Sequence, residues 1–157
     1  SNNMPHDFSI VLVTPEIPTN TGSIGRLCLA TNSTLHLVDP LGFDISDSRV
    51  KRAGLDYWKH VKVIRHKSFE LFLNSLPSDA PTVFFSTKAK TSLFEKKFKK
   101  GSYLIFGSET KGLGVEVIEK FSENTFYIPQ YDDRVRSLNL ANAASIVVYE
   151  AIRQLGY

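Results

Sequence analysis

One cysteine in 157 residues rules out a disulfide framework. Cys28 lies in an apolar, helix-like stretch and reads as a buried free thiol, not a nucleophile. A reducing, cytoplasmic setting is therefore expected. Histidine is sparse as well. His6, His36, His60 and His66 form no ligand-spaced pair and no carboxylate cluster joins them, so no metal site is expected. No run approaches the ~18 apolar residues of a membrane span. The amino terminus has no basic segment followed by an apolar one, so no signal peptide is expected. Repeats, low-complexity tracts and linkers are absent, which points to one domain, read as 4–157 with Ser1-Asn2-Asn3 set aside. A chain of this length buries roughly two-thirds of its unfolded surface.

Several nucleotide and hydrolase signatures are also missing. No Gly-x-Gly-x-x-Gly follows the first strand, so an ordinary dinucleotide fold is not expected. Gly107 to Gly114 has Leu113-Gly114 where a phosphate loop needs Lys-Ser/Thr. There is no nucleophile elbow.

The composition that remains is ordinary, with 42% apolar and 22% charged residues and a net charge of +3. The basic residues cluster, however. Lys51-Arg52, Arg65-His66-Lys67, Lys88 with Lys90, and Lys96-Lys97 with Lys99-Lys100 form four patches that permit phosphate contacts.

Apolar runs at Phe8 to Thr14, Leu35 to Val38, Val61 to Ile64, Thr82 to Ser86, Tyr103 to Phe106 and Thr125 to Ile128 read as strands. Helices are expected at Ile24 to Thr31, between Ser46 and Ala53, and over Ser68–Leu76, Val115–Phe121 and Asn139–Leu155. In this reading Thr19 to Ser23 is a turn with capping chemistry, and Phe94 and Phe98 share a helical turn. The alternation gives the α/β class, with a mainly parallel sheet and helices on both faces. Ligands of such sheets bind beyond the carboxyl ends of the strands. Two polar turns fall there: Gly107 to Gly114, and the charged loop after Ile128-Pro129.

Three segments in order resemble the motifs of the SPOUT class of RNA methyltransferases. They are Pro15-Glu-Ile-Pro-Thr-Asn-Thr-Gly-Ser-Ile-Gly-Arg26, Phe106-Gly-Ser-Glu-Thr-Lys-Gly-Leu113, and Ile128-Pro129 with Arg136-Ser-Leu-Asn-Leu-Ala-Asn142. Arg52-Ala-Gly-Leu-Asp-Tyr57 and the ending Tyr149 to Tyr157 resemble one branch, the tRNA (cytidine/uridine) 2′-O-methyltransferases of the wobble position. The resemblance implies a C-terminal trefoil knot, an exception to unthreaded chains. It also implies an S-adenosylmethionine pocket, a homodimer, and tRNA held by the basic patches. Modification of another tRNA or rRNA nucleotide, or a non-catalytic RNA-binding role, remain as alternatives.

Carried over motif by motif, the resemblance assigns cofactor binding to Phe85, Ser86, Thr87, Gly107, Glu109, Gly112, Ile128, Ser137 and Leu138. It assigns RNA contacts to Asn20, Arg136 and Tyr149, and catalysis to Arg26. With a helix opening at Ser23, Arg26 falls in the first turn, against the helix dipole, which argues for a role beyond surface charge. Guanidinium does not deprotonate readily, so the role implied is electrostatic stabilisation, not general base. Asn139 reads either as a helix cap or as a tie to the knot. Gln130 stands where the family has methionine, and the loop after it carries Tyr131, Asp132, Asp133 and Arg134.

Overall fold

A computed structural model describes residues 6–157; Ser1–Asn3 and the expected domain start at Met4 lie outside them. Seven strands form one sheet in the order β3-β2-β1-β6-β4-β7-β5. They are β1 Ser9–Val13, β2 Thr34–Val38, β3 Val63–His66, β4 Thr82–Phe85, β5 Thr91–Ser92, β6 Tyr103–Phe106 and β7 Thr125–Tyr127. Every pairing is parallel. The apolar strand runs follow from this, since a parallel sheet is covered on both faces. Ile10, Leu12, Leu35, Leu37 and Leu104 face one core, Val11, Val38, Phe84 and Ile105 the other.

The helices are α1 Pro18–Ala30, α2 Ser48–Ala53, α3 Phe69–Asn74, α4 Val115–Lys120 and α5 Leu140–Leu155. Residues of α1 and α5 join the first core, and those of α3 and α4 the second. In α5, Leu140, Ala144, Val147, Val148 and Ala151 repeat at helical spacing and are buried. Each buried valine there contributes roughly 1.5–3 kcal/mol.

Three expectations are corrected. First, α1 begins at Pro18, not near Ile24. Pro18 occupies the first turn, where its missing N–H costs nothing. Thr19 to Ser23 are helical despite poor propensity, because Asn20, Thr21 and Gly22 are buried against neighbouring elements. Second, the third strand starts two residues late, since a 3₁₀ segment, Leu55–His60, precedes it. Third, Phe94 and Phe98 do not share a face. Only Leu93–Glu95 makes a 3₁₀ turn; Phe94 is exposed and Phe98 is buried. The Gln154 side chain of α5 accepts from the Phe98 N–H at 2.9 Å and donates to the Lys96 carbonyl at 2.9 Å, which holds the stretch extended.

Candidate active site

A cavity of about 660 Å³ opens beyond the carboxyl ends of β4, β6 and β7. Its walls include Phe85, Ser86 and Thr87 after β4, the turn Gly107 to Gly114 after β6, and Ile128, Ser137 and Leu138 after β7. All nine residues expected to bind cofactor line this one space. Apolar residues and polar turn residues line it together, the usual makeup of a small-molecule site.

The turn after β6 folds on itself. Ser108 and Gly112 exchange backbone hydrogen bonds, N–H to carbonyl at 3.2 and 3.0 Å. A Cβ on Gly107 would lie 2.1 Å from the Gly112 carbonyl carbon. Gly107 is therefore required by the chain's own backbone, before any ligand arrives. Gly112 has φ +63°, a conformation glycine takes without strain.

Two crossed carboxylates tie this turn to the segment after β1. Glu109 accepts from the N–H groups of Glu16 at 2.7 Å and Ile17 at 2.9 Å, and from the Asn20 amide at 3.2 Å. In return Glu16 accepts from the Thr110 N–H at 2.9 Å and from the Thr110 hydroxyl. The Thr110 hydroxyl, then its N–H, hold the Glu16 carboxyl below the usual carboxylate range. Glu109 thus fixes the two residues that lead into α1, Glu16 and the N-cap Ile17, whose own side chain supplies no cap. The network continues through Asn20, whose oxygen accepts from the Asn139 amide at 3.1 Å. Asn139 in turn caps α5, accepting from Ala141 and Asn142 N–H groups at 2.9 and 3.2 Å. It is both the cap of α5 and a tie from α5 to α1.

The residues expected to meet RNA or perform catalysis separate into two groups. Arg136 and Asn20 line the cavity. Asn20 is 7% exposed and both ends of its amide are engaged by the protein. Arg26 and Tyr149 lie outside the lining and are exposed. With α1 starting at Pro18, Arg26 sits in the third turn, so the expected placement against the dipole does not hold. Its guanidinium lies over the Tyr57 ring, 5.5 Å from the centroid. Gln130 donates to the Val135 carbonyl at 3.1 Å, closing the charged loop, within which Arg134 pairs with Asp132.

Sequence reasoning missed Ile17, Lys88 and Ile118 as cavity walls. Ile17 sits between charged and proline residues with no periodic signal, and Ile118 reads as ordinary helix core. Missed too was the Glu16–Thr110 bond, which joins residues 94 apart. Among the described residues no group of three or more His, Cys, Asp or Glu is placed to hold a metal ion, and no helix is long and apolar enough to cross a membrane.

In sequence and in backbone the chain is similar to known proteins. A tRNA (cytidine(34)-2′-O)-methyltransferase of Aeromonas hydrophila subsp. hydrophila is 49% identical over 153 residues, covering 96% of each chain. A solved structure described as giving insights into 2-OH methylation of C/U34 on tRNA superposes with a TM-score of 0.92 at 48% identity, over 96% of this chain and 97% of that one. The SpoU methyltransferase AviRb from Streptomyces viridochromogenes, in complex with AdoMet, matches with a TM-score of 0.83 at 25% identity, over 95% of this chain and 58% of its own. With residues 7–149 matched to its family description, the chain belongs to the SpoU rRNA methylase family.

Proposed function

We propose that this chain, as a single 4–157 domain, is an S-adenosylmethionine-dependent tRNA 2′-O-methyltransferase that methylates the ribose of nucleotide 34, cytidine or uridine. The observation that carries the reading is the end-to-end likeness, in sequence and backbone, to the protein described for C/U34 methylation. The cavity fits the cofactor. Phe85, Ile128 and Leu138 offer apolar cover for a purine, and the tightly folded 107–112 turn presents backbone groups beside them. When bound, S-adenosylmethionine supplies an electrophilic methyl on sulfonium.

The protein's contribution is position, exclusion of water and handling of charge. Transfer needs the 2′-oxygen in line with the methyl and negative charge on that oxygen stabilised as its proton leaves. A guanidinium makes a poor base, so Arg26 serves as an electrostatic stabiliser of the ribose oxygen or the adjoining phosphate. Arg26 lies outside the cavity of its own chain. A homodimer answers this, with one copy bringing Arg26 toward the pocket of the other. Exposed Leu29 on α1, and Ile146 and Tyr149 on α5, supply an apolar face beside Arg26 for such pairing. The trefoil knot belongs to the same reading. It is supported by β6 lying between β1 and β4, and by α5 being held at one end to Asn20 and at the other to residues 96–98. Cytoplasmic location follows from a tRNA substrate.

The test is direct. Purified protein, S-adenosylmethionine and tRNA are incubated, and 2′-O-methyl groups are mapped along the product. Methyl at nucleotide 34 is expected, and Arg26→Ala should cut the rate at least about a hundredfold while S-adenosylhomocysteine still binds. Methylation only at other nucleotides, or none, would overturn the assignment.

A further inference from the structure

We infer that Tyr57 is a positioning residue for Arg26, holding its guanidinium in a fixed orientation for methyl transfer; the inference rests on the methyltransferase reading above. Among the described residues the ion pairs are Asp47–Arg49, Asp39–Arg65, Asp132–Arg134 and Glu150–Arg153, and Arg26 is in none of them. The protein group that meets its charge is the face of Tyr57, 5.5 Å from ring centroid to guanidinium carbon. A carboxylate there would neutralise the cation and compete with an RNA phosphate or a developing alkoxide. A ring face orients the planar guanidinium and leaves its N–H edges free.

The surrounding backbone is built to bring that ring in. Gly22 and Gly25 let α2 and the Leu55–His60 segment approach α1 closely. A Cβ on Gly22 would be 2.2 Å from the Val50 carbonyl, and one on Gly25 would be 2.4 Å from the Trp58 ring. Trp58 therefore packs on the residue just before Arg26, while its neighbour Tyr57 covers Arg26 itself. Gly54 is buried with its own Cβ position 3.2 Å from the Gly22 carbonyl. The chain leaves it through Leu55 at φ +52°, a left-handed conformation that a leucine rarely takes. Leu55 and Tyr57 are also 52% and 45% exposed. The left-handed turn at Leu55 leads the chain into the segment that sets Trp58 on Gly25 and Tyr57 over Arg26.

The experiment is a double-mutant cycle. Methyl transfer to tRNA is measured with Tyr57 as tyrosine, phenylalanine or leucine, in chains carrying either arginine or alanine at position 26, with melting and S-adenosylhomocysteine binding as controls. In the arginine background Tyr57→Leu should lower kcat roughly two- to fivefold, the scale of one exposed cation–π contact. KM for tRNA and S-adenosylhomocysteine affinity should move less than about twofold. Tyr57→Phe keeps the ring face and should recover most of the loss. In the Arg26→Ala background, Tyr57→Leu should cost nothing further. Equal losses in both backgrounds would show that Tyr57 acts without Arg26 and overturn the inference. So would a loss confined to KM, which marks a direct RNA contact, or a Tyr57→Phe defect as deep as Tyr57→Leu. An unaltered protein that is inactive on tRNA would instead sink the methyltransferase reading itself.

Discussion

The two helices that meet at the cavity begin in opposite ways. Asn139 stands at the start of α5 and caps it with its own side chain, one residue away in sequence. The start of α1 takes its acceptor from Glu109, 92 residues further along the chain. One helix is self-contained, and the other is completed only when the β6 turn is in place. The cavity lies between them, so its wall at Ile17 and Asn20 depends on the same turn that forms its floor. A ligand seated against that turn would be coupled to order at the start of α1.

The harshest way to break the contrast is Gly107→Val. The new side chain overlaps the Gly112–Leu113 backbone, so the turn opens and carries Glu109 away. We expect a loss of at least about 4 kcal/mol, or failure to fold, together with loss of S-adenosylhomocysteine binding. Calorimetric binding and thermal melting give the readout. Near-normal melting with intact binding would mean that the turn has slack that the geometry does not show.

A gentler cut is Glu109→Ala, which leaves the turn's glycines alone. The N–H groups of Glu16 and Ile17, just before α1, and the Asn20 amide lose their acceptor. The expected cost is roughly 1.5–3 kcal/mol, the worth of hydrogen bonds to a charged acceptor in a half-buried site. Amide exchange should show the first turn of α1 opening while the first turn of α5 stays protected. Equal loss of protection in both would show that the two starts are not independent.

The same contrast explains what could be read from sequence. The start of α5 was legible because Asn139 and the apolar period beside it are local. Its N-terminal neighbour Leu138 and the glycines of the β6 turn were legible as well, through motif and strand-end position. The start of α1 was not. Thr19 to Ser23 look like a turn to any local rule, while the burial of Asn20, Thr21 and Gly22 and the Glu109 carboxylate that holds the entry to the helix come from remote parts of the chain. The error propagated to Arg26, placed in a first turn when it stands in the third. The strands were legible apart from β3, read two residues early, and β5, whose two residues give no pattern.

Acid sharpens the comparison further. His36 is 7% exposed, with its Nδ1 2.9 Å from Nε2 of His66. Burial, then the charges of His66 and Lys62, pull its pKa from 6.5 to about 4. A histidine depressed on folding stabilises the native state above its unfolded pKa and loses that contribution as pH falls toward its folded value. Stability should therefore fall by about 1–2 kcal/mol between pH 7 and pH 5, for the whole sheet. Glu16, held below its ordinary 4.5 chiefly by the Thr110 hydroxyl, contributes above 4.5 and loses its contribution only below that. Exchange protection should thus fall in α1 and α5 together down to about pH 4, with an additional fall in α1 once the pH drops below 4.5. Asn139 has no proton to gain. A second fall appearing equally in α5 would contradict the assignment.

The smallest expected effect comes from Asn139→Asp, which separates cap from tie. Aspartate caps a helix about as well as asparagine, and its charge at the N-terminus adds a favourable dipole interaction of roughly 0.3–1 kcal/mol. It cannot donate to the Asn20 oxygen, however, and Asn20 cannot turn its amide round without giving up Glu109. The gain and the loss oppose each other, so net stability should change by less than about 1 kcal/mol. Asn139→Ala removes both functions and should cost more, about 1–2 kcal/mol. The difference will show at Asn20. Its side-chain amide should exchange faster in Asn139→Asp although α5 stays capped, and S-adenosylhomocysteine affinity should weaken as that wall of the cavity loosens. If Asn139→Asp left both Asn20 and the ligand unmoved, Glu109 alone would fix this wall, and the bond between the two helix starts would carry no function.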